Sequence, residues 1–99
     1  MALNYRIEGK LEPDSGRPGS RVVLKVKFSD LTGELKEVRA RIREWPAYQT
    51  TLSLVEDYYR LEVEIPYIAP TGTYHVEIYG KDSQGNFGPI LTLPFRVGY

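Results

Sequence analysis

The sequence predicts an all-β protein: an antiparallel β-sandwich of about seven strands in two sheets, held together without disulfides. Three observations predict it. Apolar and polar residues alternate with period two along most of the chain, as strands with one buried face require. Clusters of Gly, Pro, Asp and Ser separate these runs at the spacing of a sandwich. The 99 residues contain no cysteine, so the core must be built from apolar burial alone. A chain of this length hides roughly 60–65% of its unfolded surface on folding, which suffices for one core. Residues 1–99 are therefore read as a single domain.

The elements follow in order. Leu3, Tyr5 and Ile7 alternate with Asn4, Arg6 and Glu8, giving a first strand. Residues 13–19 (Pro-Asp-Ser-Gly-Arg-Pro-Gly) form a turn-rich break. Val22, Leu24, Val26 and Phe28 then alternate with Val23, Lys25 and Lys27. Residues 34–45 fit two periods: Val38, Ala40 and Ile42 suit a strand, while Leu35, Val38, Ile42 and Trp45 suit a helical stripe. A strand is the reading taken, because both flanks are β and the second sheet needs a partner here. A shorter strand is expected at residues 50–55. Tyr59, Leu61, Val63 and Ile65 alternate with Arg60, Glu62 and Glu64, and Tyr74, Val76 and Ile78 with His75, Glu77 and Tyr79. Leu91, Leu93, Phe95 and Val97 complete the set. Pro94 cannot donate to a ladder, which places it at an edge, at a bulge, or with its nitrogen facing solvent.

Composition excludes several classes of function. Thirteen Lys and Arg balance thirteen Asp and Glu, so no global field draws the chain to nucleic acid or to an anionic membrane. No apolar run reaches the length of a membrane span or a signal-peptide core. Without cysteine there is no thiol catalysis and no thiolate metal site. His75 is the only histidine, and no nucleophile elbow or phosphate loop accompanies it. The chain is read as non-enzymatic and cofactor-free. Its abrupt ends suggest a module cut from a longer polypeptide.

The stretch YYRLEVEIPYIAPTGTYHVEIYGKDSQGN, residues 58–86, together with LKVKFSDLTGELKEVRARI, residues 24–42, resembles bacterial immunoglobulin-like and fibronectin-III-like domains. The likeness covers about half of the chain and implies the immunoglobulin-like version of the sandwich. Gly72-Thr73-Tyr74-His75-Val76 has the spacing of a tyrosine corner, in which a tyrosine near the start of the penultimate strand bonds back to upstream backbone. Tyr74 is accordingly expected to reach a backbone group near residues 68–70 and to be the costliest tyrosine to remove. Val76 stands where antibody domains carry a cysteine, and their core tryptophan has no counterpart. The resemblance implies an extracellular, cell-surface or periplasmic module.

Candidate sites follow from that topology. The turns holding Asp30, Glu34, Asp82 and Asn86 fall at one end, where hard oxygens suit calcium; the same residues are turn formers, and that is the reading taken, so no metal is expected. Arg21, Lys25 and Lys27 are expected to face Glu62 and Glu64, and Arg39, Arg41 and Arg43 to face Glu77 and His75, as cross-strand pairs. Tyr5, Phe28, Tyr59, Tyr74 and Phe95 have inward parity. Tyr58 and Tyr79 have outward or loop positions, as do Trp45, Tyr48 and Tyr67, which form a candidate binding surface at the opposite end or, in the reading taken, lid the open end of the core there. The function expected is a non-catalytic structural or interaction module, a spacer or docking unit whose partners are neighbouring domains or another protein. The alternatives are an accessory carbohydrate-binding module of a secreted hydrolase and a calcium-stabilised adhesin-type module.

Overall fold

The structure is a computed structural model that describes residues 3–98. Among the described residues nine strands run in chain order: β1 (Asn4–Glu12), β2 (Ser15–Gly16), β3 (Arg21–Thr32), β4 (Glu37–Ile42), β5 (Trp45–Thr51), β6 (Ser53–Val55), β7 (Tyr58–Glu64), β8 (Gly72–Lys81) and β9 (Leu91–Val97). One sheet has the order β1-β3-β7-β6 and the other β2-β9-β8-β4-β5. This is the immunoglobulin-like sandwich, with nine β-segments where about seven strands were expected. The extra segments come from two places where the chain changes sheets. After Glu12 the chain ends the β1 pairing with β3, and β2 lies parallel to β9 with Ser15 opposite Arg96. After β5 a single buried residue, Leu52, crosses between the sheets, and Ser53 opposite Arg60 begins β6.

Residues 34–45 form no helix: β4 pairs with β8 along its length, from Glu37 opposite Lys81 to Ile42 opposite Val76. The alternation explains the outcome, since Val38 and Ala40 become 0% and 1% exposed on the inner face. The expected strand at residues 50–55 is instead the end of β5 and the whole of β6. Pro94 lies opposite His75. The amide of Arg96 donates away from β8, to Asp14 O at 3.2 Å. Period two therefore turns the Pro94 nitrogen to that same outer edge.

Two apolar clusters fill the space between the sheets. One joins Leu24, Val26, Val38, Ala40, Leu52 and Ile78. The other joins Val22, Ile65, Ala69, Phe95 and Val97, with Trp45 and Tyr74 packed against it. Above the first cluster, Tyr5 is held on all sides. Its ring meets Phe28 edge-on at 4.8 Å. Its hydroxyl donates to Pro89 O at 2.6 Å and accepts the buried Gly80 N–H at 2.7 Å. Gly80 and Gly88 are glycines because a Cβ there would run into Leu35 and into the Tyr5 ring respectively.

Tyr74 makes one such bond, Oη to Pro70 O at 2.7 Å, in an exposed corner. That is the corner bond expected of Tyr74; Tyr5, with two hydroxyl bonds and a buried donor among its partners, is expected to be costlier still to remove. Tyr79 also departs from its expected exposure. It lies on the outer face of its sheet, yet is 5% exposed, because the Arg41 guanidinium covers its ring at 5.2 Å and Phe87 packs edge-on at 5.1 Å.

Candidate apolar binding cleft

Between the two sheets, at the end closed by the β4–β5 hairpin and the loop from Ile65 to Tyr74, lies a cleft of about 80 Å³. Its wall is entirely apolar and includes Val22, Ile65, Ala69, Val76 and Phe95, with Trp45 and Tyr48 from β5 and Tyr74 from β8. The sequence explains the space. Ala40 from β4 and Ala69 from the loop after β7 put the smallest apolar side chain on the cleft wall, and both are buried. Burial pushes the Tyr48 phenol above its ordinary value, since the phenolate would lose water there.

The structure brings Trp45 and Tyr48 together on this wall and leaves Tyr67 apart. Tyr67 is 77% exposed, lies across Gly19 and does not line the cleft. Neighbouring Ile68 is 81% exposed and, with Trp45, Pro70 and Tyr74, borders a second, shallow groove beside the first.

Sequence reasoning missed Glu44, which ties this end together. Arg43 and Glu44 are the two-residue turn between β4 and β5, where Ile42 pairs with Trp45. Arg43 N donates to His75 O at 2.9 Å, the last backbone bond from this hairpin to β8. Glu44 then substitutes for a strand. Its Oε1 accepts the His75 N–H at 2.7 Å, and its Oε2 lies 2.6 Å from His75 Nδ1. The bond from the His75 ring holds the Glu44 carboxyl below the usual carboxylate range, against the opposing effect of burial. His75 was expected to face the strand-C arginines; its partner is instead this turn. The one signal in the sequence is a carboxylate at a hairpin tip beside the only tryptophan.

The remaining candidates sort as follows. Glu77 takes both Arg41 Nε at 2.9 Å and Arg43 Nη2 at 3.1 Å, and these bonds, Arg41's first, depress its carboxyl. Arg39 lies 4.0 Å from Glu37, with its buried Nε unpartnered. Arg21 meets Glu62 at 3.1 Å, but Lys25 turns to Glu12 and Lys27 to Asp57. The first-strand edge and the β6–β7 turn are closer to those lysines than Glu64 is to either in register. Asp82 spends its carboxylate on its own turn, accepting Gln84 N at 2.9 Å and Asn86 N at 2.8 Å, while Gly85 supplies positive φ. Asp30 pairs with Arg6. Among the described residues no three carboxylates or imidazoles converge to hold a metal ion, so Asp30, Glu34 and Asp82 do not form a cage with Asn86.

The fold defines the class of this protein as an immunoglobulin-like β-sandwich. No protein-family model matches the sequence, and no curated protein does. Among solved structures the chain is similar to a Niemann-Pick type C2 protein from the Japanese carpenter ant, with a TM-score of 0.64 and 9% identity over 99% of this chain and 94% of that one. It is also similar to an engineered protein, with a TM-score of 0.54 and 11% identity over 94% of this chain and 20% of the other. At these identities the likeness shows the fold. Among the described residues no helix is long and apolar enough to cross a membrane.

Proposed function

We propose that this chain is a non-catalytic binding module that receives an apolar group, an alkyl chain or its equivalent, in the cleft between its sheets. The observation that carries the reading is the wholly apolar wall of the cleft. Such a wall offers a sugar hydroxyl no partner, whereas it matches hydrocarbon. The cleft is also costly to keep. At about 24 cal/mol per Å³, a space of this size forfeits about 2 kcal/mol relative to a filled core, a large share of the 5–15 kcal/mol typical of a domain. An extracellular, cell-surface or periplasmic setting within a larger bacterial protein of fibronectin-III-like modules belongs to the same proposal. It is supported by the sequence resemblance.

The test is titration with 1-octanol, followed by Trp45 fluorescence. Wild type should show a saturable change, and Ala69→Leu, which fills the cleft, should lose it. Equal responses from the two proteins would defeat the reading. A docking role against a neighbouring domain is favoured separately by Tyr67 and Ile68, which expose large apolar side chains side by side.

A further inference from the structure

If the cleft is a binding site, as proposed above, it has a size problem. A cavity of about 150 Å³ accommodates benzene, and pockets that enclose small ligands run from about 300 to 1,000 Å³. The 80 Å³ present here, at about 30 Å³ for each water-sized group, holds two or three such groups and not an alkyl chain. Something in the wall has to move, and the hydrogen-bond pattern shows which part is least held.

The edge strand β5 is paired only with β4. Arg41 lies opposite Gln49, but the next residue, Ile42, lies opposite Trp45. Residues 46–48 therefore bulge out of the ladder, and this stretch with Trp45 supplies the two aromatic residues that β5 gives to the cleft wall, Trp45 and Tyr48. From Gln49 to Thr51 the strand is again in register with Arg41, Ala40 and Arg39, which anchors the far end. At the near end Trp45 pairs with Ile42 and Arg43 N bonds to His75 O, and the side-chain tie is the carboxylate of Glu44 on His75.

We infer that residues 44–48 are a flap over the apolar cleft, that Glu44 on His75 is its latch, and that releasing the latch admits the ligand. A segment fixed in register at one end, and held at the other by a single ladder pair, Ile42 with Trp45, and one side chain, opens locally at far less cost than the whole domain unfolds. Trp45 and Tyr48 would swing with it, taking Trp45 off the second cluster and widening the cleft from its mouth while the first cluster stays packed.

Trp45 is the only tryptophan, so it reports on the flap directly. The experiment compares acrylamide quenching of Trp45 and the rate of 1-octanol uptake in wild type, Glu44→Ala, His75→Ala and the control Glu62→Ala, which removes a carboxylate paired with Arg21 and Arg60 on the other sheet. Glu44→Ala should raise the quenching constant at least about twofold and speed octanol uptake. His75→Ala, which keeps the backbone N–H bond, should move both in the same direction by less, and it serves as the test should Glu44→Ala fail to fold. Glu62→Ala should match wild type. Unchanged quenching in the folded latch variants overturns the latch, whatever octanol does. Raised quenching with no octanol uptake by any variant overturns the binding reading, and the gating with it, leaving the Glu44 contact as a hairpin anchor only.

Discussion

Replacing Tyr5 by Phe isolates the hydroxyl that joins the first strand to the β8–β9 connection. Phe preserves the ring, its edge-on contact with Phe28 and its fit against Gly80 and Gly88, so no cavity forms. What is lost is the acceptor for Gly80 N–H, a donor in a buried residue, and the donor to Pro89 O. Pro89 is exposed and its carbonyl can turn to water. Gly80 N–H cannot, and an unsatisfied buried donor costs about 1–3 kcal/mol. The expected loss is about 2 kcal/mol, or about 8–16 °C in Tm for a domain of this size. Tyr74→Phe breaks a bond in an exposed corner, where water replaces the lost partner, and should cost about 0.5–1 kcal/mol. Urea melts of both variants at neutral pH provide the comparison. A Tyr5→Phe loss no larger than that of Tyr74→Phe would refute the reasoning about burial.

Three further outcomes are expected. Gly88→Ala sets a methyl against the Tyr5 ring and should destabilise by about 1–3 kcal/mol in the same melts. Glu77 and Glu44 hold their protons less tightly when folded than when unfolded. Their stabilisation is therefore complete above the unfolded carboxylate range near pH 4.3 and is lost as the pH falls through their lower folded values; urea midpoints should drop below about pH 4.5, and Glu77→Gln should flatten that drop. Millimolar calcium against chelator should leave Tm unchanged, since Asp82 and Asp30 are already committed within the protein.

What was legible in the sequence was what period two can express. Val22, Leu24 and Val26 reach 5%, 2% and 1% exposure because alternate side chains of a strand share a face, and the same rule decided β4 against a helix. The split of residues 45–55 between two sheets was not legible, because the crossing depends on Leu52 alone among polar neighbours. Tyr79 looked exposed because its cover, Phe87, comes from a loop outside its own strand. The cleft could not be read either. A space between sheets is a matter of how volumes fail to meet, and only Ala40 and Ala69 hint at it. Glu44 and His75 are 31 residues apart, and nothing in the pattern of either strand pairs them. Trp45 and Tyr48 are legible in the sequence only as outward or loop residues that either lid the open end of the core or form a surface there; they lie at that end as part of the inner wall.

The most direct test of the binding account is methyl-resolved NMR of the wild-type protein during titration with 1-octanol. The account predicts saturable shifts at the methyls of Val22, Ile65, Ala69 and Val76 and at the Trp45 indole, with Val38 and Ile78 of the other cluster unmoved. Shifts gathered at Ile68 and Tyr67 on the outside, with the cleft methyls silent, would contradict it.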